Sequence, residues 1–107
     1  MGLALSSRNQ HLSHNGLENA SFIYKSLDAA KDVFIKTNKT IDAINVGIRI
    51  LSENDIHLDY FEILDQNTFS SPKNTTKKFI IIVAAYVEGI RLIDNIQFDV
   101  GATKWKT

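Results

Sequence analysis

Residues 79–100 read FIIIVAAYV-EG-IRLIDNIQFDV, and this stretch decides the fold. Phe79–Val87 is a continuous apolar run of strand length, the pattern of a central strand covered on both faces. Glu88-Gly89 supplies the turn, with glycine accepting the positive φ that a tight hairpin needs. Ile90–Val100 is the return strand. In its second half Ile96, Phe98 and Val100 alternate with Gln97 and Asp99, so one face is apolar and the other polar.

Upstream of the hairpin, Gln66–Lys78 is polar, holds the sole proline, Pro72, and reads as a loop with a helical turn around Phe69. Ile56–Asp65 (IHLDYFEILD) is rich in β-branched and aromatic residues and reads as another strand. Before the polar break Ser52–Asp55 the period changes. Ile41, Ile44, Ile48 and Leu51 share one face of a helix spanning Thr40–Ser52. Gly47 lies inside that helix at a cost of about 1 kcal/mol against alanine, which points to close packing by a neighbour. A longer helix runs from Asn15 to Lys36, with Leu17, Ala20, Ile23, Tyr24, Leu27, Ala30 and Phe34 on one stripe. Ser13 is its N-cap candidate, because the hydroxyl can accept an orphan amide hydrogen of the first turn. The polar run 36–39 ends it. The expected fold is α+β: two main helices packed on a small, mostly antiparallel sheet of about three strands.

A length of 107 residues fits a single domain. A chain of this size buries roughly 65% of its unfolded surface, enough for one core. Twelve basic residues balance twelve acidic ones, so the charge offers no footprint for nucleic acid or an anionic membrane. The absence of cysteine excludes disulfides and thiolate metal sites and accords with a reducing compartment. No apolar run approaches the roughly 20 residues of a membrane helix, and no secretory signal pattern opens the chain. A cytoplasmic protein is expected. Met1-Gly2 runs directly into a loop, so either the protein begins there or the chain is a piece of a longer one.

Few motifs carry chemistry. Ser6-Ser7-Arg8-Asn9 could cradle a phosphate: a guanidinium presents a planar fork of donors that matches phosphate oxygens, and hydroxyls donate without adding charge. The same letters also suit a turn with a solvated arginine. His11 and His14 are three apart, yet no third ligand is spaced to complete a metal site with them. His57 is expected on the solvent side of its strand. Asp59, Glu62 and Asp65 resemble a carboxylate cluster, but strand alternation should separate Glu62 from the other two. Arg91 and Asp94 should face opposite ways, satisfying loop ends or holding the SSRN loop. No nucleophile–base pair, metal cluster or glycine-rich phosphate loop is legible, so no self-sufficient enzyme is expected.

In order, GLALSSRN-QHLS, a long helix, LDYFEILD, FIIIVAAYVEG and RLIDNI resemble the C-terminal domain of the pantothenate synthetase (pantoate–β-alanine ligase) family, from Gly2 to about Ile96. The family's pattern departs here at His11, usually tyrosine, at Tyr86, commonly arginine, and at Glu88, usually a small residue. The resemblance implies an enzyme in which pantoate attacks the α-phosphate of ATP. β-Alanine then attacks the pantoyl adenylate, giving pantothenate, with release of pyrophosphate and AMP. It further implies that a Rossmann-like N-terminal domain with an HxGH-type motif carries the catalytic core. No such motif occurs here, so this chain alone is expected to be inactive.

By the same resemblance residues 1–12 form an ATP-contacting loop, 13–52 the helices and 56–100 the sheet of a lid. Leu5, Ser6, Ser7 and Arg8 would line the nucleotide, with Arg8 stabilising phosphate charge in the transition state. ATP would arrive with Mg²⁺, with no prosthetic group and no metal ligand from this chain. The full-length enzyme would be a homodimer assembled through its N-terminal half, and this piece a monomer. The roles of Arg91, Asp94 and Asn95 stay open, and a stand-alone nucleotide- or protein-binding module is the alternative.

Overall fold

Helix α1 (His14–Thr37) turns its small and branched residues to one side: Ala20, Ile23, Leu27, Ala30 and Phe34 are all buried. Ser26 lies on the same buried stripe, and its hydroxyl donates to the Ile23 carbonyl at 2.6 Å, so no polar group is stranded there. The helix stops at Asn38, which adopts a left-handed φ of 59° and donates its N–H to the Phe34 carbonyl at 2.7 Å. Helix α2 (Thr40–Glu53) follows at once and buries Ala43, Gly47 and Leu51. It closes in a Schellman arrangement. Asp55 takes a φ of 58°, and Ile56 donates back to the Leu51 carbonyl at 3.1 Å while both side chains enter the core. The computed structural model describes residues 14–100, so Ser13 and its proposed cap lie outside the described residues.

The strands are β1 (His57–Asp65), β2 (Lys78–Val87) and β3 (Ile90–Asp99), antiparallel in the order β1-β2-β3. The α+β expectation of two helices on three antiparallel strands therefore holds, and β2 is the central strand. Val87 pairs with Ile90, leaving Glu88 and Gly89 as a two-residue loop with φ values of 53° and 77°. Both positions are positive, as a type I′ turn requires, so Glu88 as well as Gly89 bears the left-handed backbone. The helical turn expected near Phe69 is a single one, with the Phe69 N–H on the Asp65 carbonyl at 2.8 Å.

Both helices pack on one face of the sheet. Phe61, Ile63, Phe79, Ile81, Val83, Ala85, Val87 and Leu92 form the sheet's share of the core. Gly47 is the closest approach: a Cβ there would collide with the ring of Phe61, which explains a glycine inside a helix. At the open end of the hairpin Phe34, Phe79 and Phe98 form an aromatic cluster. Phe34 meets Phe79 edge-on at 4.8 Å, and Phe79 stacks on Phe98 at 5.4 Å.

The apolar run of β2 suggested cover on both faces, and among the described residues the helices supply it on the inner one. Ile80 and Ala84 on the outer face are buried without joining the helix-packed core, whereas Tyr86 is exposed.

Candidate functional site

Leu5, Ser6, Ser7 and Arg8 lie outside the described residues, as does His11. The second motif, RLIDNI, is fully described, and alternation along β3 divides its side chains between the two faces. Arg91, opposite Tyr86, is on the outer face, and Asp94, opposite Val83, is on the inner face. The opposed orientation expected for this pair is what the fold shows.

Arg91 binds Asp59. Its Nε donates to Oδ2 at 2.9 Å, and the guanidinium lies 6.0 Å from the centre of the Tyr60 ring. Hydrogen bonding to Asp59 raises the Arg91 pKa further, so the group is a permanent cation. The contact depends on an irregularity in β1. Register shifts between Leu58 and Tyr60, leaving Asp59 unpaired and free to turn toward Arg91, two strands away. Simple alternation missed this. Asp59 therefore sits on the same side of the sheet as exposed Glu62, and Asp65 is the one set apart.

Asp65 organises the loop after β1. One carboxylate oxygen accepts the N–H groups of Asn67 and Thr68, at 2.8 and 3.2 Å. The other accepts the Thr76 hydroxyl at 2.7 Å. The Thr76 bond first, then that to Asn67, holds the Asp65 pKa below its ordinary value. With one acid in an ion pair, one in solvent and one in a loop clamp, the three have separate roles and form no acid–base pair.

Asp94 is the outlier. Its Oδ1 accepts the Asn95 N–H at 2.8 Å, but Oδ2 is buried with no hydrogen-bond partner among the described residues. Burial pushes its pKa up, opposed by the Asn95 bond. The side chain of Asn95 itself is exposed on the outer face, opposite Ile82. His57 is exposed, as expected, and no group of three or more potential metal ligands occurs among the described residues.

Sequence reasoning did not anticipate a groove between the α1–α2 junction and the loop after β1. Its floor is Phe34, Phe79 and Val100, and its rim carries Lys39, Asp42, Lys73 and Lys77. The α2 N-terminus beside it has no side-chain cap. Those groups are mixed in sign and include no nucleophile paired with a base.

Comparisons with known proteins cover nearly the whole chain. The family described as Pantoate-beta-alanine ligase matches residues 1–97. The chain is 40% identical over 103 residues to the pantothenate synthetase of Coprothermobacter proteolyticus, covering 92% of this chain and 36% of that protein. It is 35% identical over 100 residues to the bifunctional pantoate ligase/cytidylate kinase of Trichodesmium erythraeum, covering 89% of this chain and 19% of that one. The crystal structure of pantothenate synthetase from Thermus thermophilus superposes with a TM-score of 0.80 at 31% identity, over 92% of this chain and 36% of its own. The chain thus spans about a third of the length of the pantothenate synthetases it matches and about a fifth of the bifunctional protein.

Proposed function

Because this chain belongs to the pantoate–β-alanine ligase family, we propose that it is the C-terminal, ATP-covering lid of a ligase that joins pantoate to β-alanine. The observation that carries this is the family match over residues 1–97, which takes in the SSRN motif. Coverage of only 36% of the relatives' length accords with a catalytic core supplied by an N-terminal domain. In the reaction proposed, a pantoate carboxylate oxygen attacks the α-phosphorus of ATP and the bond to pyrophosphate breaks. The β-alanine amine then attacks the acyl carbon of the adenylate, AMP leaves, and the amide of pantothenate remains.

Leu5, Ser6, Ser7 and Arg8 line the nucleotide in this scheme. Negative charge grows on the departing pyrophosphate, so preorganised donors aimed at it lower the barrier. Arg8 brings two parallel N–H donors and a charge that pH does not remove. Ser6 and Ser7 add hydroxyl donors. A closed lid also keeps water from the adenylate until the amine arrives. Mg²⁺ enters with ATP as part of the substrate. We assign the enzyme to the cytoplasm, in keeping with a cysteine-free sequence. The full-length protein would be a homodimer through its N-terminal part.

The test is AMP release from ATP with pantoate and β-alanine, comparing this chain with the full-length protein. Full-length activity that needs both substrates, with silence from the 107-residue chain alone, is the expected outcome. In the full-length protein Arg8→Ala should slow adenylate formation by roughly 10²–10³-fold, the usual loss for one oxyanion-type donor. On this reading Arg8 serves the nucleotide and not the fold, so the melting temperature should hardly move. An unchanged rate would remove Arg8 from the mechanism, and full-length inactivity would overturn the ligase assignment.

A further inference from the structure

The outer face of the sheet is built for burial, although no described helix or strand layer covers it. A strand with one face in water should alternate apolar and polar residues. On the outer side of β2 the residues are Ile80, Ile82, Ala84 and Tyr86, every one apolar or aromatic. The flanking strands extend the patch, with Tyr60 opposite Ala84 on β1 and Ile93 opposite Ala84 on β3. Ile80 and Ala84 are already buried, but Ile93 is 54% exposed and Tyr86 37% exposed, so the patch reaches solvent at these two. Its centre is tyrosine and isoleucine, and exposed His57, Glu62, Asn95 and Gln97 surround it on the same face, the apolar middle and polar rim of an interface.

We propose that this face is the surface on which the remaining length of the enzyme packs, and the proposal rests on the lid assignment above. Charge argues against a phosphate-bearing or acidic partner, because Arg91 is already engaged by Asp59. Size decides between a second copy and a tethered domain. Three strands about 4.8 Å apart and about ten residues long span roughly 14 by 30 Å, or about 400 Å². Two copies face to face would bury roughly 800 Å² in total, short of the about 1,200 Å² of stable complexes. A domain on the same chain faces no such threshold, since linkage supplies an effective concentration in the millimolar range. The relatives leave room for such a domain: this chain spans 36% of their length. Helices α1 and α2 then lie on the side away from the rest of the enzyme. The sheet is the surface that rocks on the core as the lid moves.

Thiol labelling of the full-length protein tests this. Ile93→Cys is compared with Ile41→Cys, a control at the start of α2 that is 70% exposed. This chain has no cysteine of its own, and peptide mass spectrometry assigns the label to its site. With similar exposure in the present structure, the two would react within about twofold of each other. Packing of the rest of the enzyme on the sheet should slow Ile93→Cys at least tenfold relative to the control, at 1 µM as at 50 µM protein. Equal rates overturn the proposal. Protection that appears only at the higher concentration also overturns it, in favour of a second copy.

If the cysteine variant unfolds, hydroxyl-radical footprinting of the unaltered full-length protein decides. Tyr86 oxidation should be at least fivefold below that of Phe69, and oxidation within about twofold rejects the interface. AMP release in the same preparation separates the two ideas. An active enzyme with an accessible Ile93 refutes the interface alone, and an inactive one with a protected Ile93 refutes the ligase alone.

Discussion

The two faces of the sheet share one backbone but have different fates. On the inner side of β2, Phe79, Ile81, Val83, Ala85 and Val87 meet α1 and α2. On the outer side, Ile80, Ile82, Ala84 and Tyr86 are as apolar, yet neither described helix packs on them. The difference teaches that the hydrophobicity of a strand reports a need for cover without saying which part of the chain supplies it. The inner face is satisfied locally, by the two helices that immediately precede β1 in the chain. The outer face is satisfied, in the proposal above, by a domain beyond the 107 residues.

That contrast can be broken most directly by equal truncations on the two sides. Ile81 is fully buried under the helices, so Ile81→Ala should cost this chain about 2–5 kcal/mol, the transfer loss plus the cavity left behind. Ile93→Ala, the same deletion on the outer face, should stay within about 0.5 kcal/mol. Urea denaturation of both variants checks the pair. Similar losses at the two sites would mean that the outer face is already packed within this chain.

A smaller effect probes how tightly the inner layer fits. Gly47→Ala gains about 1 kcal/mol of helix propensity. The new methyl collides with the buried ring of Phe61, and overpacking of this kind costs roughly 1–3 kcal/mol. A net loss of stability is expected, relieved when Phe61→Leu is added. Stabilisation by Gly47→Ala alone would show that α2 can slide on the sheet.

Much of this was legible in the sequence because local rules and tertiary needs agree. The stripe Ala20–Phe34, the apolar run of β2 and the Glu88-Gly89 turn each have one sensible structure. The rest failed where a single residue breaks a period. The irregularity at Asp59 leaves no mark in HLDYFEILD, yet it puts that acid on Arg91 and undoes the separation that alternation implies. Asp94 was misjudged for another reason: alternation puts it on the face of Ile96 and Phe98, but an aspartate there reads as a loop-end residue, and its burial went unread. The proposed nucleotide contacts were legible only through resemblance, since serine, serine and arginine suit a turn as well as a phosphate.

The smallest expected effect sharpens the comparison at Asp94, the polar intruder on the inner face, with Asp65 as its counterpart. Hydrogen bonds lower the Asp65 pKa, so its contribution is present above the unfolded value of 3.8 and is lost as pH falls through the folded one. Burial raises the Asp94 pKa, which reverses the sign. Its folded form holds the proton more tightly, so ionisation costs stability at pH 7. The cost is relieved as pH falls through the folded pKa toward 3.8. Asp94→Asn should therefore stabilise this chain at pH 7 by on the order of 1 kcal/mol, the scale of one buried polar group without a partner. The gain should shrink as the medium approaches pH 4. Urea midpoints of the two proteins at both pH values measure it. A loss at pH 7 would mean that the buried oxygen is needed as a carboxylate, held against its desolvation cost by a donor that the described residues do not contain.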